Sequence, residues 1–354
     1  MSDTANEGAR RAARSVDAIR RGWPVRISGN DGDLDLLAIE SASDAALADF
    51  ASADVLLSGE RAVTLKLTNQ RPAAAPGPVR LSAAAKSVSA GLAIADPALD
   101  LANPLKGPFR TVATGGETAA SAAMLMARHA GLLPAFFVRD AAGDAETPCD
   151  AADVDALLDP TRLHIAARAR LPVEASESAE IIAFRTPEEA SDHVALVIGK
   201  RDGNPPVVRL HSECLTGDVL GSLKCDCGPQ LHAALHAMAD APWGVLLYLR
   251  QEGRGIGLVN KLRAYALQDQ GYDTVDANLR LGFPVEARDF AIAGRMLELL
   301  SVPRIRLMTN NPEKVARLEK EGVEVVERIP LALPTNKYNE QYLATKRDRT
   351  GHQL

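Results

Sequence analysis

Cys214-Leu-Thr-Gly-Asp-Val-Leu-Gly-Ser-Leu-Lys-Cys-Asp-Cys227 places three of the chain's four cysteines within fourteen residues. The stretch follows the apolar run Pro206–Leu210, which predicts a strand, and it precedes a helix that we expect to begin at Pro229. Zn²⁺ favours thiolate ligands in a tetrahedral arrangement. The stretch therefore predicts a zinc site between a strand and a helix.

Two kinds of zinc site fit these residues. Three cysteine ligands leave a fourth position open for water, as catalytic zinc sites do. His211 as a fourth ligand would instead close the site and make it structural. Glu213, directly before the first cysteine, favours the catalytic alternative because a carboxylate there can move protons or hold a substrate. Glu213 can also be a solvated acidic residue.

Length and composition limit the class of protein. The chain has 354 residues, a net charge of -6, 46% hydrophobic and 4% aromatic residues. These values predict a two-domain α/β or α+β enzyme. The acidic balance argues against a nucleic-acid partner, and the absence of a long apolar run or secretory signal argues against a membrane partner. Clustered cysteines suit a reducing compartment, so we expect a cytoplasmic protein in which Cys149 is an incidental thiol.

Strands alternate with helices after about Leu171. Val245–Leu249 predicts a strand that enters the glycine-rich loop Arg250–Gly257 before a helix over 258–270. A second strand, Ile305–Met308, enters the loop Thr309–Asn311 before a helix that begins at Pro312. Backbone amides at such loops bind phosphate. The order predicts a C-terminal three-layer α/β/α domain with a mixed sheet, and phosphate loops beside an open zinc site indicate a nucleotide hydrolase.

The N-terminal half predicts an α+β domain. Gly115 and Gly116, at the start of a helix that ends at Gly131, could bind an anion or could simply form a tight turn into a buried helix. Residues 71–87 are rich in Pro and Ala and predict a surface loop. The other expected elements are helices over 5–21 and 46–50 and strands over 25–27, 35–39, 55–57 and 63–67.

This order, with Gly116-Glu-Thr-Ala-Ala120 and Ala130-Gly-Leu-Leu-Pro-Ala135, resembles dihydroxybutanone-phosphate synthase. That family binds Mg²⁺ and a sugar phosphate through an acidic run after the first strand and through a histidine. Here the acidic run is reduced to Asn30-Asp-Gly-Asp33, and Glu117 stands at the position of the histidine. Because Mg²⁺ requires hard oxygen ligands, the resemblance implies that residues 1–165 form a degenerate, inactive synthase-like domain.

The C-terminal half resembles GTP cyclohydrolase II. This resemblance implies a catalytic domain over residues 166–354 that hydrolyses GTP at C8 and releases formate and pyrophosphate. The product is a diaminopyrimidine ribosylamino phosphate, which begins riboflavin biosynthesis. The motifs occur in the family's order and are Arg209–Asp218, Lys224–Gly228, Arg250–Arg254, Ile256–Leu258, Leu262–Thr274, Leu281–Phe283, Arg288–Phe290, Leu307–Pro312 and Tyr342–Lys346.

The resemblance also implies individual roles. One Zn²⁺ per subunit is held by Cys214, Cys225 and Cys227, Mg²⁺ accompanies the triphosphate, and the protein is a homodimer. Tyr265 transfers a proton near C8. Arg288 acts on the α-phosphate, as a nucleophile or as a charge clamp, beside Glu286, where the family commonly has Asp. The implied GTP contacts are Arg209, Leu210, His211, Ser212, Glu213, Gln230, Glu252, Gly253, Arg254, Thr274, Thr309 and Lys314.

Two other functions remain compatible with the sequence. One is a related zinc hydrolase that acts on another purine nucleotide or retains the triphosphate. The other is a non-enzymatic nucleotide-binding protein with structural zinc. Helix packing beside Leu262 and Leu267 could also account for Tyr265 without any chemistry.

Overall fold

The computed structural model describes residues 3–189 and 191–353. It divides into two compact units: Met1–Asp159 with Ile256–Ala287, and Pro160–Gly255 with Arg288–Leu354. The predicted boundary between residues 165 and 166 differs from this division in two ways. The second unit already begins at Pro160, and residues 256–287, predicted for the C-terminal domain, pack in the first unit. The cause is that this segment carries apolar side chains that complete the first unit's core.

The strands fall into one sheet per unit. Those of the first unit are β1 Val25–Gly29, β2 Gly32–Ala38, β3 Val55–Leu57, β4 Val79–Leu81, β5 Thr111–Val112, β6 Ala135–Asp140 and β7 Pro148–Asp150. Those of the second unit are β8 His164–Arg170, β9 Ala179–Arg185, β10 His193–Gly199, β11 Val207–Ser212, β12 Trp243–Leu249, β13 Arg304–Met308 and β14 Glu324–Ile329.

The helices cover both sheets. They are α1 Asp3–Arg20, α2 Asp44–Phe50, α3 Gly59–Thr64, α4 Val88–Ala95, α5 Glu117–Ala130, α6 Ala151–Leu157, α7 Cys227–Ala239, α8 Glu252–Gly255, α9 Leu258–Asp269, α10 Thr274–Arg280, α11 Ala291–Leu299, α12 Pro312–Lys320 and α13 Glu340–Thr350. None of the helices within the described ranges has the length and apolar character that a membrane crossing requires.

The first unit is built on the sheet β5-β4-β3-β6-β2-β1-β7, in which only the described β1–β7 pair is parallel. Successive side chains of a strand point to opposite faces of the sheet, so each strand contributes side chains to two hydrophobic cores. Leu36 and Phe136 pack with α1, α5 and α6 on one face. Leu37 and Phe137 pack on the other face, together with side chains of α2, α4, α9 and α10.

The second unit is built on the mixed sheet β14-β13-β11-β12-β10-β9-β8. The strands β11 to β14 pair in parallel, and β8 to β10 add antiparallel pairs at the other side. Val208 and Leu210 of β11 enter a core shared with α11 and α12, whereas Val207 enters a core shared with α7. Helices therefore lie on both faces, which confirms the predicted three-layer α/β/α arrangement.

Two N-terminal predictions are wrong. Residues 63–67, predicted as a strand from their alternating pattern, form the end of α3 and a turn. Ser58 caps this helix by accepting a hydrogen bond from the Arg61 amide at 3.3 Å, and the buried Arg61 guanidinium pairs with Asp100 at 2.6 Å. The cap and the buried ion pair outweigh strand propensity. The predicted loop over 71–87 also contains β4, which pairs with β3.

Candidate active site

The three cysteines of the second unit form a compact cluster. The sulfurs of Cys214, Cys225 and Cys227 all lie within 4.8 Å of one another, and the first two are 3.7 Å apart. A tetrahedral zinc ion with Zn–S bonds of about 2.3 Å holds its sulfurs about 3.8 Å apart. The cluster thus fits a zinc ion with little rearrangement.

Local structure brings the cysteines together. Cys214 follows the end of β11, a helical turn over Leu215–Val219 reverses the chain, and Cys227 begins α7. Gly217, within the turn, donates its amide to Cys214 Sγ at 3.3 Å. A Cβ atom on Gly217 would lie 2.7 Å from Cys225 Sγ and 3.0 Å from Cys214 Sγ. Only glycine therefore allows the turn to approach the sulfurs this closely.

The electrostatics of the cluster favour a cation. Hydrogen bonding with Cys214 is the largest cause that raises the pKa of the Cys225 thiol, and a separate hydrogen bond with Cys214 is the largest cause that raises the pKa of Cys227 well above its usual value. Adjacent thiolates repel one another, so without a cation the thiols resist ionisation. A divalent metal ion removes that repulsion, because it binds the deprotonated form of each ligand.

His211 has a different partner from the one that a closed zinc site would need. Its Nε2 lies 3.0 and 3.1 Å from the carboxylate oxygens of Asp218, and its ring stacks on Tyr248 at a centroid distance of 5.6 Å. The metal-binding group found among residues 3–189 and 191–353 contains the three cysteines without His211. The open, three-ligand alternative is therefore the one that this geometry supports.

Asp218 is a site residue that sequence reasoning missed. Besides His211, its carboxylate accepts the Tyr248 hydroxyl at 2.9 Å and the Cys214 amide at 3.0 Å. It thus links the first cysteine of the cluster to the ends of β11 and β12. The signal in the sequence was its position four residues after Cys214, on the turn that returns to that cysteine.

A buried polar chain lies on the other side of the cysteines. Arg209 donates to Gln230 Oε1, Gln230 Nε2 donates to Asp226 Oδ2 at 2.5 Å, and Lys346 Nζ of α13 donates to Asp226 Oδ1 at 2.7 Å. Burial lowers the pKa of Lys346, but Tyr342 and Asp226 outweigh that effect and hold the pKa above its usual value. Asp226 stands between Cys225 and Cys227, so α13 contacts the cysteine segment directly.

Arg209 carries a buried donor atom near the cysteine cluster. Its side chain is buried, and burial lowers its pKa to about 10. Its Nε atom is buried with no hydrogen-bond partner within the described part of the chain. A buried donor of this kind costs free energy unless a ligand oxygen or water meets it. Arg209 is thus a credible contact for a bound anion or carbonyl.

The loop after β12 also approaches the cysteine turn. Glu252 Oε2 accepts the Leu215 amide at 2.7 Å, and Arg250 pairs with Glu213 at 2.9 Å. Gly253 and Arg254 both adopt left-handed backbone angles, with φ of 64° and 62°. Such a conformation costs a non-glycine residue about 1 to 2 kcal/mol, and strain of this kind concentrates at functional sites.

The loop after β13 contributes a cation. Lys314 of α12 donates its Nζ to the carbonyl of Leu210 at 3.2 Å, and Thr309 Oγ1 accepts the Asn311 amide at 3.1 Å. Lys314 therefore lies at the carboxyl end of β11, beside Arg209 and His211. Ligands bind at this edge in parallel α/β sheets.

The remaining predicted site residues are divided between the units. Tyr265 of α9, Thr274 of α10 and Glu286 belong to the first unit, and Arg288 belongs to the second. The Lys261 ammonium lies 5.7 Å from the Tyr265 ring centroid, and Thr274 Oγ1 accepts Gln268 Nε2 at 3.2 Å. Their predicted roles in catalysis and GTP binding stay predictions.

The helix start at Gly115 and Gly116, which could bind an anion, instead binds a carboxylate of the same chain. The Asp31 carboxylate accepts the amides of Glu117 at 2.8 Å and Thr118 at 3.1 Å. Thr118 Oγ1 also donates to Asn30 at 2.7 Å. The amides that begin α5 thus bind an internal carboxylate instead of an external anion.

Comparisons with known proteins follow this division of the chain. The family model for GTP cyclohydrolase II matches residues 164–330. A GTP cyclohydrolase-2 of Azospirillum brasilense is 40% identical over 369 residues, covering 98% of this chain and 95% of the relative. A GTP cyclohydrolase-2 of Histophilus somni is 50% identical over 193 residues, covering 54% of this chain and 89% of the relative.

A similarity to a solved structure is much lower. A two-domain 3,4-dihydroxy-2-butanone 4-phosphate synthase from A. baumannii covers 91% of this chain, with a TM-score of 0.31 and 16% identity. This value is too low to bear on the fold, so the synthase-like origin of residues 1–165 stays a prediction. The full-length similarity to the A. brasilense protein shows that the chain belongs to the GTP cyclohydrolase II family.

Proposed function

We propose that the protein hydrolyses GTP at C8 of guanine, releases formate and pyrophosphate, and so begins riboflavin biosynthesis. The observation that carries this proposal is the cluster of three cysteine sulfurs, with 3.7 Å between Cys214 and Cys225, at the carboxyl end of β11. Membership of the GTP cyclohydrolase II family supports it. The protein is proposed to act in the cytoplasm as a homodimer, with Mg²⁺ accompanying the triphosphate.

Each side chain at this edge has a task in that reaction. A zinc ion bound by Cys214, Cys225 and Cys227 would supply an activated water for attack on the ring carbon. Asp218 fixes the Cys214 backbone and orients His211. Arg209 presents its unpartnered Nε to the substrate. Lys314 offers positive charge for phosphate oxygens at the same strand end.

The segments outside this cluster supply the rest of the proposed machinery. Tyr265 moves a proton near C8. Arg288 clamps or attacks the α-phosphate beside Glu286, and the clamp suits a guanidinium better because it stays protonated and is a poor nucleophile. Besides Lys314, the proposed GTP contacts outside β11 are Glu213, Gln230, Glu252, Gly253, Arg254, Thr274 and Thr309.

The first unit is proposed to lack synthase activity. The Asp31 carboxylate occupies the helix-start amides that could otherwise bind an anion, and the acidic run that would hold Mg²⁺ is short. Incubation with ribulose 5-phosphate should yield no butanone phosphate. Robust turnover of that sugar would contradict this part of the proposal.

The main test follows formate, pyrophosphate and the pyrimidine product separately during incubation with GTP, Zn²⁺ and Mg²⁺. The wild-type protein should form all three, and Cys225→Ser should lose ring opening while it stays folded. Cys149→Ser is the matched control, because Cys149 is equally buried but lies in the first unit. Formate release with retention of the triphosphate would instead identify a related hydrolase. A folded Cys225→Ser variant with unchanged turnover would refute the zinc mechanism.

A further inference from the structure

Residues 256–287 complete the larger core of the first unit. Ile256, Leu267 and Phe283 are each at most 1% exposed, and they belong to the same buried cluster as Ile39 and Phe137. Removing such apolar side chains from water stabilises the fold of the unit. The segment is therefore an integral layer of this unit.

Buried polar contacts fix the position of α9 within the unit. The Arg263 guanidinium pairs with Glu40 at 3.0 Å and with Asp96 at 3.0 Å, and the three side chains are 19%, 14% and 11% exposed. The second oxygen of Glu40 accepts the amide of Leu133 at 2.7 Å. Charge-assisted bonds of this kind are about twice as strong as neutral ones. They tie α9 to the residues that follow β2 and α4.

The end of the segment is equally constrained. Gly282 has a φ of 86°, and a Cβ atom there would lie 2.6 Å from Ser58 Oγ and 2.9 Å from Pro134 Cγ. Ser58 is the cap of α3. Close backbone approach with a left-handed conformation requires glycine. Both ends of the segment are thus fitted to residues from the first 159 positions of the chain.

We propose that the N-terminal part of the first unit, up to Asp159, supports the GTP reaction by positioning residues 256–287. This segment carries Tyr265, Thr274 and Glu286. The roles of these three residues rest on the proposed function. Glu40 and Asp96 lie more than sixty residues before the region that the family model matches, at 164–330. They are positioning residues, because they act on the reaction only through Arg263 and the helix that contains it.

The test combines Glu40→Gln with Asp96→Asn in the full-length protein. Hydrogen exchange of peptides from α9 should become at least tenfold faster, while peptides from β11 and β12 keep their protection. The kcat for formate release should fall at least tenfold, and the zinc content should match that of the wild type. Asp17→Asn is the matched control, since it removes an exposed pair with Arg21 and should change none of these values.

Arg263→Lys tests the same contact if the double variant fails to fold. Lysine keeps the charge but replaces the two-pronged guanidinium, so it should give an intermediate exchange rate and an intermediate kcat. Unchanged exchange in α9 together with unchanged kcat, in either folded variant, would overturn the proposal. If the wild type releases no formate, the proposed function fails, and the exchange measurement alone still decides whether the first unit orders the segment.

Discussion

The contact between Lys346 and Asp226 yields a quantitative prediction for the second unit. Lys346→Met removes the ammonium but keeps a side chain of similar length, which leaves the Asp226 carboxylate, 7% exposed, without its cation. Removing one partner of a buried ion pair costs about 3 to 5 kcal/mol. Gln230 still donates to the other carboxylate oxygen, so we expect the lower end, about 3 kcal/mol of unfolding free energy.

The assay is urea unfolding followed by tryptophan fluorescence in a Trp23→Phe background. Trp243, the other of the chain's two tryptophans, is buried in β12 and reports on the second unit. Arg347→Met is the control on the same helix, because Arg347 is exposed and pairs with its neighbour Asp348. Its effect on stability should be small, because an exposed ion pair contributes little to folding.

A double-mutant cycle isolates the ion pair from the lost packing. Asp226→Asn combined with Lys346→Met removes both charges, so the double variant should be more stable than the sum of the single effects predicts, by at least about 1 kcal/mol. Both single variants should also release zinc to a chelator faster, since Asp226 lies between two metal ligands. Strictly additive effects would refute the claim that this charge pair supports the cysteine segment.

Three further predictions concern the metal cluster and the helix α5. Gly217→Ala should lower the zinc affinity at least tenfold, because the added methyl would lie 2.7 Å from Cys225 Sγ. Competition with a chelator measures the zinc affinity, and Leu223→Ala, at an exposed position, is the control. Zinc binding should release protons, and the apparent zinc affinity should rise with pH, because the raised pKa values keep Cys225 and Cys227 protonated near neutral pH. Calorimetry in two buffers of different ionisation enthalpy measures this proton release. Equal binding enthalpies in the two buffers would show that the thiols were already ionised. Asp31→Ala should destabilise the first unit and make its melting temperature depend on added phosphate, and a melting curve insensitive to phosphate would contradict the view that Asp31 fills an anion position.

The sequence predicted the grouping of three cysteines that could hold a metal ion, and most elements of the second unit. The strands predicted over 245–249 and 305–308 and the helix predicted to begin at Pro312 are confirmed, because continuous apolar runs bounded by proline or glycine are strong local signals. The cysteines could be grouped because clustered thiols in a reducing compartment are typical of metal sites and not of disulfide frameworks. Their short separation in sequence left little freedom for the turn.

Other features depend on distant contacts that no local pattern carries. The strand predicted over 63–67 failed because the Arg61 guanidinium is paired with Asp100, thirty-nine residues away. Asp218 was missed as a site residue because its partners, Tyr248 and His211, come from two different strands. The assignment of residues 256–287 to the first unit depends on contacts such as Arg263 with Glu40, which are separated by 223 positions.

This interleaved division also affects the order of events during synthesis. The first unit lacks the layer formed by residues 256–287 until the ribosome has moved well beyond Asp159, the end of its first segment. At about 5 to 20 residues per second, that delay lasts on the order of ten seconds. The apolar face around Ile39 and Phe137 lacks its last layer during this interval, so nascent chains of this protein should depend on chaperones more than chains whose domains are continuous in sequence.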